Sequence, residues 1–340
     1  MFCRSVVFSN APLFKAFRYR DVFQLVPFFY FKDAPFSRYA YHFPIFIEYK
    51  VDGGREEPLA TESELRKRGI PEEVIKLGRK IPYQTRVRKE ILNLLTALTN
   101  FHFFEYDSVC NCWGIQMPEK AIESLTNEEQ DKYNNQKSNW IIRGYTYPKI
   151  AEDLKVSQLT ECTEYYEASE DLWEYFTVNP ELDSNHEIKI PVFLDSVIDN
   201  YYSLVTEERK VVRHCIGLLN EGIELFNTKR SVSLLSIVSS IEGMAKLDLN
   251  KYGKGEKNGP TERFIKYLKT YVARQSEEKY RLYYKKRCDI THEGVLFLGD
   301  VDLYGDLQQQ NEDWLLRLEI LQAARIAMFN WLRRKPKEKD

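Results

Sequence analysis

The chain has 340 residues, of which 43% are hydrophobic and 29% charged, with 22 Tyr and 20 Phe. This length and composition supply enough apolar side chains for two folded domains and exclude a globally disordered protein. The formal net charge of −2 excludes a protein that binds nucleic acid over its whole surface, so any contact with RNA must come from a local basic patch.

The cysteine pattern and the hydropathy predict a cytoplasmic protein. The aromatic stretch that begins at Val22 is interrupted by prolines and charged residues, so it contains no apolar run long enough to cross a bilayer, and we expect no membrane association. The apolar run at the N-terminus is short and soon followed by polar residues, so it does not predict a signal peptide. The cysteines lack the spacing of a disulfide framework, which favours a reducing compartment; they are Cys3, Cys110, Cys112, Cys162, Cys215 and Cys288.

Residues 1–195 are predicted to form an α+β domain. FPIFIEYK reads as a strand that leads into a turn at 52–54, where Asp-Gly-Gly tolerates positive φ. Further strands are predicted in FHFFEYD, CWGIQM and NWIIRGYTY. Thr61 and Glu64 form a capping-box pattern, and RVRKEILNLLTALTN has the apolar spacing of a helix that covers the sheet. The polar segment SLTNEEQDKYNNQKSN indicates a surface helix or loop.

Residues 196–340 are predicted to form an all-α domain, because strand patterns stop near residue 190 and consecutive helical patterns follow. Pro260 stands where a first-turn proline belongs, and Gly294 where a C-terminal glycine belongs. The last helix carries an apolar stripe that indicates core packing: Trp314, Leu318, Leu321, Met328 and Trp331.

The sequence gives little indication of a metal or a cofactor. Cys110 and Cys112, with His102 upstream, offer at most three ligands in a spacing that zinc sites rarely use, and two core cysteines on a strand explain the pattern better. There is no phosphate-binding glycine loop, no dinucleotide fingerprint and no nucleophile elbow. We therefore expect neither a metal nor a cofactor.

The segment YYKKRCDITHEG at 283–294 is the strongest candidate for chemistry. On an ideal helix Arg287 and His292 point about 140° apart, so they converge only if the helix unwinds before Gly294 or a second subunit supplies the facing pair. Asp289 lies three residues before His292 and could orient its ring. Arginine neutralises phosphate charge and histidine moves a proton, a combination that suits RNA cleavage without a metal. Alternatively, His292 only caps its helix and Arg287 is a solvated charge.

Two neighbouring features could support such a site. Glu242 lies on an apolar helix stripe, where its carboxylate needs a cation or backbone donors, either as part of the site or as a purely structural ion pair. Arg281, Lys285 and Lys286 alternate with tyrosines that include Tyr284, an interleaving that could follow an RNA backbone and stack bases. An amphipathic helix whose tyrosines belong to the core explains that run equally well.

The order of helices, with the motif at the end of the penultimate long helix, resembles the HEPN superfamily over about residues 200–335. The segment LYYKKRCDITHEG is similar to the motif of bacterial antiphage members of the ApeA-like group, and SLLSIVSSIEGMAKL is similar to the earlier helix that carries an acidic residue, here Glu242. The resemblance implies a HEPN-like helical bundle that dimerises, with Arg287 binding the phosphate and His292 as the acid or base.

The resemblance therefore implies a metal-independent endoribonuclease of a bacterial defence or toxin-type system. Its implied partners are RNA and a second copy bound through the helical domain, while the N-terminal domain could sense a ligand or regulatory partner. A non-catalytic RNA-binding or dimerisation module of the same fold is the alternative. An unrelated helical interaction protein is a third, in which the Arg/His pair occurs by chance.

Overall fold

A computed structural model gives the fold, and the residues it describes are 2–27, 43–51, 62–105, 126–128, 155–162, 171–176, 187–253, 259–302 and 304–334. Two compact units are present. The first comprises Met1–Lys89, Phe103–Tyr166 and Asn185–Ile188; the second comprises Glu90–His102, Glu167–Ser184 and Lys189–Asp340. The predicted order, a sheet-containing N-terminal part followed by a helical C-terminal part, is confirmed.

The first unit is built on an antiparallel sheet in the order β2-β3-β4-β1-β5, with β6 also paired to β1. Strands β1 and β4 pair along their whole length, from Phe2 opposite Lys50 to Ser9 opposite Phe43. Aromatic and β-branched residues fill these strands, which suits a half-buried pleated surface. The strands are β1 (Phe2–Ser9), β2 (Phe17–Tyr19), β3 (Phe23–Pro27), β4 (Phe43–Lys50), β5 (Phe103–Phe104) and β6 (Lys155–Val156).

A buried carboxylate connects three strands of this sheet. Glu48 on β4 is opposite Arg4 on β1 and opposite Gln24 on β3. Its side chain accepts hydrogen bonds from Arg4 Nε at 2.8 Å and from the Thr160 backbone N–H at 2.7 Å. Because a buried charge without partners is costly, these bonds are what make Glu48 tolerable there. They also hold the segment after β6 against the sheet.

Two helices precede the predicted helical domain, α1 (Glu62–Lys67) and α2 (Glu72–Leu98). The division between the two units falls inside α2, after Lys89. The later part of α2 and the residues after it bond to helices of the second unit: Arg325 Nη1 donates to Asn100 Oδ1 at 3.2 Å, and Asn220 Nδ2 donates to the Asn93 carbonyl at 3.1 Å. The helix predicted in RVRKEILNLLTALTN is present as part of α2, which is longer than the apolar pattern indicated.

The second unit is helical. Its helices from residue 171 onward are α3 (Leu172–Tyr175), α4 (Leu194–Ser203), α5 (Thr206–Glu224), α6 (Arg230–Tyr252), α7 (Pro260–Tyr271), α8 (Glu277–Cys288), α9 (Leu298–Val301) and α10 (Leu307–Arg333). Of the predicted stripe on α10, Leu321, Met328 and Trp331 are buried, while Trp314 and Leu318 are half-buried.

Helices α5 and α6 approach each other closely because α6 presents small residues. The hydroxyl of Ser233 donates to the Gly222 carbonyl at 2.6 Å, and the hydroxyl of Ser240 donates to the Cys215 carbonyl at 2.7 Å. A Cβ at position 222 would lie 2.6 Å from a side-chain carbon of Ile237, so only glycine fits there. This pairing fixes α6, which carries Glu242.

Several predicted features lie outside the described residues. They are the turn at 52–54, Thr61 of the capping box, the strands CWGIQM and NWIIRGYTY, most of the polar segment SLTNEEQDKYNNQKSN, and Cys110 and Cys112. Within the described part of the chain, no helix is long and apolar enough to span a membrane.

Candidate functional site

The side chains of Glu242, Tyr284 and Arg287 form one connected group, here called the Glu–Tyr–Arg cluster. Arg287 Nη2 lies 3.6 Å from Glu242 Oε2, and the Tyr284 hydroxyl donates to Glu242 Oε1 at 3.0 Å. The Arg287 guanidinium also lies 5.8 Å from the centre of the Tyr284 ring. Glu242 comes from α6, whereas the other two residues come from α8. Arg287 is therefore the cation that lies beside the Glu242 carboxylate on the apolar stripe of α6.

The cluster is partly screened from water. The side chains of Glu242 and Arg287 are each 24% exposed. Burial raises the pKa of the Tyr284 hydroxyl, and the neighbouring Glu242 carboxylate raises it further. Tyr284 therefore stays protonated at neutral pH and remains a donor to Glu242. One Glu242 oxygen thus holds a neutral donor and the other faces the Arg287 cation.

A π turn separates Arg287 from His292. Helix α8 ends at Cys288, and the π turn runs over Asp289–Glu293. The Gly294 N–H donates to the Asp289 carbonyl five residues earlier, and Gly294 has a left-handed φ of 67°. Hydrogen bonds from i to i+5 put more residues into each turn than an α-helix has, so the five residues from Arg287 to His292 come nearer to one full turn. The π turn therefore brings the directions of these two side chains closer together than the angle of about 140° expected for an ideal α-helix.

Thr291, within the π turn, bonds back to Arg287 at the end of α8. Its hydroxyl donates to the Arg287 carbonyl at 2.8 Å, and its Oγ1 also accepts a hydrogen bond from Arg287 Nη1 at 3.4 Å. A hydroxyl that bonds backward in this way competes with regular helix bonds and favours a bend. Thr291 thus contributes to the irregular winding of the segment and contacts the guanidinium directly.

His292 is exposed at the end of the π turn. Among the described residues its ring has no hydrogen-bond or ion-pair partner. The predicted contact with Asp289 is not formed, since nothing joins that half-buried carboxylate to the His292 ring. The step from Asp289 to His292 is three residues, which covers less of a full turn in a π turn than in an α-helix, so the two side chains point in different directions. Because the His292 imidazole is exposed, it is accessible to a ligand.

The tyrosines of the basic run on α8 are buried, whereas Arg281 and Lys285 are exposed. Tyr280, Tyr283 and Tyr284 are buried, so their rings belong to the core of the second unit, and Tyr284 is not placed for stacking on a base. Arg281 is exposed but forms ion pairs with Glu277 at 2.8 Å and Glu262 at 3.2 Å. Neutralisation by these carboxylates weakens its attraction for phosphate.

The two remaining lysines of the run have different surroundings. Lys285 is exposed, and no acidic partner for it occurs among the described residues. Lys286 is half-buried, with its Nζ 6.0 Å from the centre of the Phe297 ring. Lys285 is therefore the more accessible of these two predicted RNA-binding residues.

The segment after His292 is anchored to the start of α6 by Asp300. Its carboxylate accepts hydrogen bonds from the backbone N–H groups of Arg230, at 2.9 Å, and Ser231, at 2.7 Å. The Phe297 N–H donates to Ser231 Oγ at 2.9 Å. The residue before α6 is Lys229, whose side chain cannot accept these bonds, so a distant aspartate caps the helix. Sequence reasoning missed Asp300, because the capping residue is about 70 positions away from the helix it caps.

No group of three or more His, Cys, Asp or Glu side chains suited to a metal ion occurs among the described residues. Comparison of the chain with models of protein families, with curated proteins and with solved structures gave no match.

Proposed function

We propose that the protein is a metal-independent endoribonuclease with its catalytic site at Arg287 and His292 in a HEPN-like bundle. The observation that carries this proposal is the partly screened guanidinium of Arg287, followed near the end of a π turn by the exposed His292 imidazole, which has no partner among the described residues. A cation that binds phosphate and a group that transfers protons near pH 7 are the two elements that cleavage by an RNA 2′-hydroxyl requires.

The proposed reaction is an internal transfer at phosphorus. The ribose 2′-oxygen loses its proton and attacks the adjacent phosphorus, so the bond from O2′ to phosphorus forms and the bond from phosphorus to O5′ breaks. His292 accepts the proton or supplies one to the leaving oxygen. Arg287 stabilises the charge on the non-bridging oxygens. The products are a 2′,3′-cyclic phosphate and a 5′-hydroxyl, and the atoms balance without water.

Within this proposal Glu242 and Tyr284 position Arg287. An unpaired guanidinium samples many rotamers, and ordering it costs conformational entropy. Glu242 restricts that freedom before RNA arrives, and the Tyr284 hydroxyl restricts Glu242 in turn. The ion pair at 3.6 Å is longer than a good charge-assisted hydrogen bond, so donors of Arg287 remain for a phosphate.

The proposal extends to partners and location. RNA is the substrate, and a second copy binds through the helical unit. A regulatory partner or ligand acts on the first unit, and the biological role is bacterial defence or toxicity. Among the described residues, Cys162, Cys215 and Cys288 are free thiols, which supports a cytoplasmic location.

One observation favours a non-catalytic RNA-binding or dimerisation module instead. Arg287 already contacts Glu242, Thr291 and the Tyr284 ring. If these contacts persist when RNA is bound, the guanidinium cannot grip a phosphate with two parallel hydrogen bonds. Such a module would bind RNA without cutting it.

Incubation of the purified protein with total RNA in EDTA tests the proposal. We expect fragments that carry 2′,3′-cyclic phosphate and 5′-hydroxyl ends, and an unchanged rate when EDTA is replaced by magnesium. Cleavage that requires a divalent metal would contradict the mechanism. Retention of intact RNA on the protein would favour the binding module.

A further inference from the structure

Thr291 is the one exposed residue between Arg287 and His292, the two groups of the proposed catalytic site. It lies four residues after Arg287, a spacing that brings helical side chains to the same face, and it directly precedes His292. The three residues before Thr291 are buried or half-buried. Thr291 therefore has the side chain that lies at the surface between the two groups.

The hydroxyl group of Thr291 acts as an acceptor toward Arg287. A hydroxyl has a single proton to donate. The Thr291 proton is directed to the Arg287 backbone carbonyl at 2.8 Å, with the Cys288 carbonyl further away at 3.4 Å. The lone pairs of Oγ1 remain, and Arg287 Nη1 donates to one of them at 3.4 Å. The bond to the backbone thus fixes the polarity of the hydroxyl, so that it presents an acceptor to the guanidinium.

The Arg287 guanidinium is held at two different nitrogens. Thr291 contacts Nη1, and Glu242 Oε2 lies 3.6 Å from Nη2. One contact would leave this planar group free to rotate about the contact point, whereas contacts at both nitrogens restrict its plane. Glu242 belongs to α6, but Thr291 belongs to the same π turn as His292. Thr291 is therefore the contact that ties the orientation of Arg287 to the position of His292.

We propose that Thr291 is a positioning residue, which sets the plane of the Arg287 guanidinium relative to His292 for the transition state of RNA cleavage. This inference rests on the proposed ribonuclease function and adds Thr291 to its site. A guanidinium binds phosphate best through parallel N–H donors, so its orientation decides how well it stabilises the developing charge. Interactions that are aligned only in the transition state raise the rate of reaction more than they raise affinity.

Substitution of Thr291 tests the proposal with a conservative rescue. We expect Thr291→Val, which removes the hydroxyl but keeps the shape of the side chain, to lower kcat by about fivefold to tenfold, the equivalent of one hydrogen bond. KM should change less, because the lost interaction acts in the transition state. Thr291→Ser keeps the hydroxyl and should restore most of the rate.

Thr270→Val is the matched control. Thr270 is also exposed, and its hydroxyl donates to the carbonyl of the residue four positions earlier at 2.8 Å, as the Thr291 hydroxyl does. It belongs neither to the Glu–Tyr–Arg cluster nor to the π turn, so its loss should leave kcat unchanged. Thermal denaturation checks that all variants fold. An unchanged or increased kcat in Thr291→Val, no recovery in Thr291→Ser, or an equal loss in Thr270→Val would each overturn the proposal.

Nuclear magnetic resonance separates this inference from the proposed function. The ¹⁵N relaxation of the Arg287 Nε–H bond reports how strongly the guanidinium is ordered, and the signal is identified by its absence from Arg287→Lys. We expect lower order in Thr291→Val than in wild type and in Thr291→Ser. If the wild type does not cleave RNA, the proposed function is wrong, and the order of this bond still decides whether Thr291 positions Arg287. Equal order in Thr291→Val and wild type would show that it does not.

Discussion

At the scale of single residues, His292 combines exposure with the absence of a described partner, so its substitution separates chemistry from folding. We expect His292→Ala to lower RNA cleavage by about 10²-fold to 10⁴-fold, the usual contribution of a general acid or base. His214→Ala, at an exposed position on α5, is the matched control and should keep activity. Cleavage of labelled RNA together with circular dichroism measures both properties. Full activity in His292→Ala would eliminate the proposed mechanism.

Arg287 tests the importance of guanidinium geometry. Lysine can keep a positive charge near Glu242, but it lacks the planar pair of donors that grips two phosphate oxygens. We therefore expect Arg287→Lys to fold normally and to lose most of its cleavage rate, with a smaller loss of RNA binding. Arg213→Lys, at an exposed site on α5, controls for the exchange itself. Comparable rates for Arg287→Lys and wild type would mean that charge alone is sufficient.

Removal of the hydroxyl group from two buried tyrosines, Tyr267 and Tyr284, should change stability in opposite directions. The Tyr267 hydroxyl is buried without a hydrogen-bond partner among the described residues, whereas the Tyr284 hydroxyl donates to Glu242. In phosphate-free buffer we expect Tyr267→Phe to raise the free energy of unfolding by about 1 kcal/mol, and Tyr284→Phe to lower it by about 1 kcal/mol. Urea denaturation of both variants measures the difference. Changes of the same sign would contradict this account of the two hydroxyl groups.

The sequence predicted part of the residue-scale arrangement. The requirement that Glu242 meet either a cation or backbone donors followed from its place on an apolar stripe, and in the structure the cation Arg287 lies beside it. The contact between Tyr284 and Glu242 could not be predicted in the same way. Helical spacing shows which residues share a face of α8, but it does not show which face meets α6. That information depends on the packing of helices distant in sequence.

At the scale of secondary-structure elements, the helix signals were reliable where local chemistry determines them. Pro260 begins α7, and Gly294 ends the motif segment in a left-handed conformation. The π turn was missed, because α and π windings of the same residues differ by small local energies that tertiary contacts decide. The length of α2 was also underestimated, since its first half has a weaker apolar pattern than RVRKEILNLLTALTN.

The cap that Asp300 provides for α6 makes a testable contribution at this scale. Loss of a capping side chain costs about 1 kcal/mol, so we expect Asp300→Ala to be destabilised by about that amount at pH 7. The substitution should also lower cleavage, because the segment after His292 loses its anchor. Glu293→Ala removes an exposed carboxylate from the same segment and serves as the control.

The effect of Asp300 should depend on pH. Burial alone raises the pKa of its carboxyl group, but hydrogen bonds from Ser231 and Arg230 outweigh burial, and the net pKa is lowered. A carboxyl group with a lowered folded-state pKa stabilises the fold above its unfolded pKa of about 4, and that stability is lost as the pH falls through the folded value. The difference between wild type and Asp300→Ala should therefore be full at pH 7 and shrink below about pH 4. A constant difference would exclude the ionised cap.

At the scale of the whole molecule, the sequence predicted the two architectures but not how the chain is shared between them. Period-two patterns near the N-terminus and helical patterns after residue 190 correspond to the sheet and to the helical region. The segment Glu90–His102 nevertheless groups with the helical unit, because polar atoms near the end of α2 bond to α5 and α10. Local patterns carry no information about such long-range partners.

The proposed dimer leads to a prediction for the exposed apolar residues that follow the site. Val301, Tyr304 and Leu307 are close in sequence and are 71%, 92% and 77% exposed, and large exposed apolar patches often mark a protein interface. We expect the wild type to be a dimer at micromolar concentration and Leu307→Glu to be a monomer, because a charge buried in a two-fold contact is placed there twice. Light scattering measures the mass, and cleavage should fall with the dimer fraction.

Val205→Glu, at a position 64% exposed before α5, is the control and should remain dimeric. A monomeric wild type that cleaves RNA would show that one copy of the site is sufficient.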